Sequence, residues 1–553
     1  MPPAGAGEQG KARSAPHRIG GQFGQIFGKR IWDIVVVTIE AVTGRTMAQA
    51  IRTDSRLMPV GRRCAWLCAG VAGGVLLLGV VPGTSTAQAI IRPPAGQVGT
   101  HGWQAPEPVP GIRVRLGKRP FSSVKSISCP SVGSCTAFGS YTAPNWTGIF
   151  LVNRVNGTWQ HARQIPGINA LSLGGPANAV VVSCGGTGNC SIGGSYTDSA
   201  SHLQAFVDTE SRGIWHMAEE VPGTGALNGS GNAGVASLSC GAPGNCGAVG
   251  STSSGPFVAN ETQGTWGTAG PIPGLAALNK GNNAQVTSIS CPSASSCALG
   301  GQYTDGAGRL QAFEDTETGG VWGDAMQIPG TAVQVHNEAA EVVSVSCASP
   351  GNCSAVGHDE PGGSVQPFAV TETNGVWGNA ESVSGVTSFT TLSCSSAGNC
   401  VAGGSAGSAF TNGQAVVLRS VNDTWGKAVT VRGTVALNPV NAASVTTVSC
   451  PSDGNCAVAG YVTQPQGDYT VSLPFVENEI KGVWDTAQAY YSGVGPAGIN
   501  SVSCASPENC SAGGPYNIGN GCDGKAAAFV VDQTPVKDST PGQLARPARP
   551  AVC

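Results

Sequence analysis

Charge is scarce in this chain. Only 11% of its 553 residues are Asp, Glu, Lys or Arg, and the formal net charge is −3. With no basic excess there is no electrostatic footprint for nucleic acid. With 41% apolar residues the composition is that of a folded chain, not a disordered one. Helix-period segments of useful length are missing from the repeat region, which argues against a helical fold. Histidine is rare, and His202, His216, His336 and His358 stand at different repeat positions, so no metal or catalytic cluster is indicated. The apolar run from Cys64 to Val81 is short for a membrane span and rich in Gly and Ala.

Glycine (82) and cysteine (20) are plentiful. Eight Cys-x5-Cys pairs recur: Cys129/Cys135, Cys184/Cys190, Cys240/Cys246, Cys291/Cys297, Cys347/Cys353, Cys394/Cys400, Cys450/Cys456 and Cys504/Cys510. Each pair flanks a turn rich in Gly, Pro, Asn or Ser between two β-prone runs, as in Leu238-Ser-Cys-Gly-Ala-Pro-Gly-Asn-Cys246. Zinc sites use closer pairs set against a second pair or histidines, so the spacing reads as disulfides that staple hairpins. Removing an N-terminal signal would take away Cys64 and Cys68 and leave Cys522 and Cys553, which are expected to form a ninth bridge.

That signal is expected at residues 58–89. Arg62-Arg63 precede the apolar run, and Ala87-Gln-Ala89 follows as a cleavage site, so cleavage is expected after Ala89 and the product is expected outside the cell with no membrane span. Residues 1–57 form an extension that an upstream start codon would explain. Residues 90–100 read as a linker, 101–532 as the repeat domain and 533–553 as a Pro-rich tail.

The repeat returns every 47–56 residues, judged by its first cysteines. Each copy offers four strands: A into the first cysteine, B out of the second, C with an Ala-Phe or Pro-Phe pair, and D from a tryptophan. Four short strands at this period predict an all-β, eight-bladed β-propeller with one disulfide per blade. Tryptophan opens strand D at 159, 215, 266, 322, 377, 425 and 484, one fewer than the cysteine pairs. The missing strand stands at the front, in Gly102-Trp103-Gln-Ala-Pro-Glu-Pro-Val-Pro-Gly111, and is expected to pair near Phe529 and close the ring. Trp at one repeated position points to core packing more than to sugar platforms.

The repeat resembles the Asp-box propellers of the sialidase-like superfamily, and is similar to secreted actinobacterial repeat proteins. An Asp-box carries an aspartate and a glycine before its tryptophan. Here Glu210, Glu261, Glu317, Glu372 and Glu479 stand five residues before the Trp, and the glycine is shifted. The resemblance therefore implies architecture, with degenerate boxes, and not catalysis. The glutamates are expected to accept backbone N–H groups in the turn.

Chemistry is hard to find. A sialidase-like hydrolase needs an arginine cluster, a Tyr-Glu nucleophile pair and an Asp acid, and no three arginines of this chain fall at inner-strand starts of different blades. Gly403-Gly-Ser-Ala-Gly407 lacks the helix that a nucleophile elbow requires. No cofactor or metal is expected. The remaining candidates lie on B–C and D–A loops, which share one face: Tyr196, Asp198, Tyr303, Asp305, His358, Asn232 and Asn283. The leading expectation is a monomeric, non-enzymatic binding module for a polysaccharide or protein. A hydrolase of the sialidase-like type and a cell-surface scaffold are the alternatives.

Overall fold

In blade 3 the alternating residues of strand A (Gly234–Ala242) and strand B (Asn245–Thr252) pair antiparallel around the Pro243-Gly244 turn, with Cys240 directly opposite Cys246. Gly244 carries φ +65, which the tight turn requires. Strand C (Gly255–Thr262) pairs onto B, and strand D pairs onto C in two short pieces, Thr265–Trp266 and Gly270–Pro271. All eight blades follow this A-B-C-D order. Each holds one disulfide across its A–B hairpin: Cys129–Cys135, Cys184–Cys190, Cys240–Cys246, Cys291–Cys297, Cys347–Cys353, Cys394–Cys400, Cys450–Cys456 and Cys504–Cys510. Their Cα–Cα distances are 3.9–4.1 Å.

The computed structural model describes residues 102–112, 121–142, 147–173, 175–229, 231–331, 339–360, 365–407, 413–437, 442–466, 469–490, 497–517 and 526–533. The chain divides into two compact units, Met1–Gln88 and Ala89–Cys553, and all described residues belong to the second. The expected signal, linker, the tail beyond Gln533 and the Cys522–Cys553 bridge lie outside them. Among the described residues no helix is long and apolar enough to cross a membrane. Eight disulfides fit an oxidising compartment.

The ring closes as the repeat count requires. Glu107–Pro108 pairs antiparallel with Ala526–Asp532, placing Glu107 opposite Val530 and Pro108 opposite Phe529, while Trp103 bridges to Gln533. The N-terminal segment is thus strand D of blade 8. It covers what would otherwise be an unpaired sheet edge.

Between neighbouring blades lies an apolar core, one per seam. At seam 2/3 the core joins Val207 and Val221 to Val235, Phe257 and Trp266; at seam 7/8 it joins Val476 to Ile499, Phe529 and Trp103. Burying each large side chain contributes about 2–3 kcal/mol. The indoles serve this packing: Trp103, Trp159, Trp215 and Trp266 are buried, and Trp266 Nε1 donates to Thr209 Oγ1 of the preceding blade at 3.1 Å. Glycine in strand B lets the chain pass close to its neighbours; a Cβ on Gly250 would meet the Gly234 carbonyl oxygen at 2.1 Å and the Phe257 ring at 2.7 Å.

Two polar belts run across the seams. The first runs through the Ser-Cys step that ends every strand A hairpin arm. The serine before each first cysteine, in strand A, accepts the backbone N–H of the first cysteine in the next blade. Ser128 takes Cys184, and Ser183, Ser239, Ser290, Ser346, Ser393, Ser449 and Ser503 take Cys240, Cys291, Cys347, Cys394, Cys450, Cys504 and Cys129, all at 2.9–3.1 Å. Strand A is the inner edge of each sheet, so this belt satisfies N–H groups that would otherwise have no ladder partner.

The second belt uses the glutamates before tryptophan, and corrects the expectation drawn from the sequence. Their partners are side chains of the preceding blade, not turn amides. Glu261 accepts from Ser191 and Thr209 at 2.9 and 2.8 Å, Glu210 from Asn153 at 2.7 Å, Glu317 from Asn260, and Glu372 from Thr316 at 3.3 Å, while Glu479 pairs with Arg419. The carboxylates sit beside the C–D turn but point across the seam, where a donor one blade back stands within reach. At the closing seam the polarity reverses: Arg154 of blade 1 lies 3.1 Å from Asp532 of blade 8.

Candidate functional site

Strands A of consecutive blades are neighbours around the ring, so they form its inner wall. Seven of the eight break register near their start, which inserts one extra residue into the wall: Lys125, Val180, Ala236, Thr287, Val343, Thr390 and Thr446. A bulge re-aims its side chain. In three copies that side chain ties the seam. Thr287 Oγ1 donates to the Val342 carbonyl and Thr390 Oγ1 to the Val445 carbonyl, both at 2.6 Å, and Thr446 does the same to Ile499. Asn500, at the matching place in blade 8, donates to the Val124 carbonyl at 2.7 Å. Lys125, Val180, Ala236 and Val343 break this pattern.

These positions and the residues beside them line the mouth of the channel on the B–C/D–A face. Among the described wall strands, only Lys125 and Glu341 are ionisable. Glu341 Oε1 lies 3.6 Å from His358 Nε2, which places one predicted residue at the mouth. Asn178 and Gln285 occupy the position equivalent to Glu341 in their own blades and are exposed. Asn178 belongs to strand A of blade 2, Ala177–Gly186.

The other predicted residues divide between structure and surface. Tyr196 and Tyr303 are only 4% and 3% exposed. The Tyr196 hydroxyl donates to Glu220 at 3.2 Å, and burial together with that carboxylate pushes its pKa well up. Tyr303 packs edge-on against Phe313. Neither ring is open for a sugar to stack on. Asp198 and Asp305 fold their B–C loops in the same way. Asp198 Oδ1 accepts the N–H groups of Ala200 and His202, and Asp305 Oδ1 those of Ala307 and Arg309. Burial works against the Asp305 carboxylate, yet its bonds from Arg309, Gln311 and Ala307 hold its pKa down to about 2. Asn232 and Asn283 are exposed; their backbone N–H groups are held by Asn228 and Asn279. The structure links Asp198, Gln204, Asn228 and Asn232 into one chain of hydrogen bonds.

The eight expected hairpin pairs form disulfides, and they stand apart from the channel mouth. Cys135, Cys190, Cys246, Cys297, Cys353, Cys400, Cys456 and Cys510 are all buried in the seams. The reason is where each second cysteine falls: it opens strand B on the side that faces the preceding blade. Cys135 Sγ lies 3.5 Å from Ser511 Oγ, Cys190 Sγ 3.3 Å from Thr136 Oγ1, Cys246 Sγ 3.4 Å from Ser191 Oγ, and Cys400 Sγ 3.4 Å from Ser354 Oγ. Cys297 and Cys353 enter the apolar cores of seams 3/4 and 4/5 in the same way. The bridges are therefore parts of the core, and none presents a thiol or a contact to a ligand at the channel mouth.

Metal chemistry finds little purchase. The one candidate ligand group among the described residues is Cys240, Cys246 and Glu261, and its cysteines are bonded to each other. A shallow groove at seam 7/8, lined by Asn455, Pro507 and Glu508 among others, lies with the cysteine turns and away from the channel mouth. Sequence reasoning missed Lys125 and Glu341. The signal was there: each places a charge where most other copies of the repeat have an uncharged residue.

No protein-family model and no curated protein matches this chain. Solved structures show a weak likeness to it. The chain is similar to the protein YCF48 from Cyanidioschyzon merolae (12% identity, 64% of this chain and 96% of that one, TM-score 0.36). It is similar to an ulvan lyase of polysaccharide lyase family PL25 (11% identity, 78% and 94%, TM-score 0.38). It is also similar to a GH74 xyloglucanase from Xanthomonas campestris (9% identity, 77% and 75%, TM-score 0.30). Likeness at this level carries no conclusion about this chain.

Proposed function

We propose that this chain is an exported, non-enzymatic β-propeller that binds a polysaccharide on its B–C/D–A face, around the mouth of the central channel. Export rests on the signal-like segment at residues 58–89, with cleavage after Ala89, and on the disulfides. The observation that carries the reading is the economy of ionisable groups along the inner wall: one lysine and one glutamate among the described strands. Propeller hydrolases need two carboxylates about 5–10 Å apart beside the bond they cut. The described wall strands offer a single carboxylate, Glu341. The mouth instead presents neutral amides, Asn178, Asn232, Asn283 and Gln285, whose donors and acceptors match sugar hydroxyls.

The test is retention of the chain from residue 90 onward on an array of polysaccharides, read together with release of new reducing ends. Retention without cleavage supports the reading, and the double variant Asn232→Ala/Asn283→Ala should weaken it. Cleavage of any bound polysaccharide would overturn the non-enzymatic half. Retention only on proteins, or on no polysaccharide, would overturn the ligand class.

A further inference from the structure

The wall of the channel holds one cation with no counter-charge among the described residues. Lys125 stands on the bulge of strand A in blade 1, where blades 4, 6 and 7 place a threonine that ties the seam. Replacing that donor with lysine gives up a hydrogen bond across seam 1/2 and returns no contact: Lys125 makes no hydrogen bond or ion pair among the described residues. The adjacent positions do not compensate it. Val180 and Ala236 are apolar and exposed, Asn500 spends its amide on Ser123 and Val124, and Glu341, four blades away around the ring, faces His358. The lysine side chain is open to solvent yet enclosed by surrounding chain, and that partial desolvation lowers its pKa. Both properties fit a side chain on the inner wall of the ring. A fixed charge between low-dielectric walls focuses its field along the channel and raises the local concentration of the opposite charge. A side chain that breaks a structural pattern without a structural return marks a functional position.

We propose that Lys125 is an anion-binding residue, whose ammonium takes a carboxylate or sulfate group carried by the bound polysaccharide. This rests on the polysaccharide reading above and narrows it to acidic chains. Asn178 and Val180, on the neighbouring wall strand, would flank the anion with one amide and one apolar surface.

The experiment compares wild type, Lys125→Met and Lys125→Arg. Calorimetric titrations use an oligogalacturonide, a sulfated galactan oligomer and a neutral cello-oligosaccharide, and inorganic sulfate is titrated by thermal shift against chloride at matched ionic strength. The expected result is that Lys125→Met loses about tenfold or more in affinity for an acidic oligomer, the loss of one charge-assisted contact. Lys125→Arg retains it, and added salt weakens the wild type more than the Met variant. The carboxylated and sulfated arms tell the two anions apart. Equal behaviour of wild type and Lys125→Met toward both acidic oligomers and toward sulfate overturns the proposal. If sulfate distinguishes the two variants while no oligosaccharide binds either, the anion site stands and the polysaccharide reading falls. Lys125 holds no part of the fold, so unchanged melting of Lys125→Met is the control.

Discussion

At the scale of single residues, the repeat spends its polar atoms on holding the ring. Ser183 illustrates it: across the seam its hydroxyl accepts the Cys240 N–H at 3.0 Å. Ser183→Ala should leave that N–H unpaired and cost about 1–3 kcal/mol in denaturant unfolding, with no change in disulfide content. Gly250→Ala should be worse than an ordinary core change, because the new methyl meets backbone at 2.1 Å; a loss above about 3 kcal/mol is expected in the same assay. The glutamates before tryptophan were visible in the sequence, but their partners were not. Thr209, Asn260 and Arg419 lie one whole repeat away, and no local spacing says which side of a strand faces which neighbour. The tyrosines misled for a related reason. Tyr196 and Tyr303 sit beside loops, yet strand B runs past each of them and folds both rings into the seam.

At the scale of elements, strand C is where the sheet carries unusual cost. In blades 2, 4 and 7 it reads Asp208-Thr-Glu210, Asp315-Thr-Glu317 and Glu477-Asn-Glu479, with both residues of each pair buried. Burial raises the carboxyl pKa to about 8 for Asp208, about 7 for Asp315 and about 8 for Glu477. Asp315 has no cation to relieve it: Asp324 and Glu317 add to the rise, while the N–H groups of Thr316 and Gly323 oppose it. Asp208 faces Arg163 but also Glu219 and Glu210, and Glu477 faces Arg432 with Asp485 and Glu479. The sign follows from proton counting. Between about pH 4 and 7 the folded chain holds protons on these groups that the unfolded chain has released, so stability falls as pH rises through that window. Thermal melting should therefore be highest in mild acid, and Asp315→Asn should flatten its slope between about pH 4 and 7. A melting temperature that rises across that window would contradict this assignment. The hairpin staples act independently of pH. Replacing Cys240 and Cys246 by serine should cost about 2 kcal/mol, the loop entropy of a short closed turn, and leave the other seven blades paired.

At the scale of the whole ring, architecture was legible and function was not. Counting tryptophans against cysteine pairs was enough to predict that the segment at Trp103 belongs to the last blade, because a sheet with a vacant edge is a liability that a count exposes. The mouth of the channel was illegible for the opposite reason. Repetition reveals what the ring needs eight times over; Lys125 and Glu341 occur once, and only the wall they share makes them neighbours of the same space. The circle depends on joints that differ from the rest. At seam 8/1 Arg154 and Trp159 both reach Asp532, and Ser503 completes the serine belt on Cys129. Hydrogen–deuterium exchange of the chain from residue 90 onward tests this closure directly. The account predicts that peptides covering 102–109 and 526–533 are protected as strongly as the matching strands of blade 7. Exchange of those two segments within seconds, while blades 2 to 7 stay protected, would contradict it.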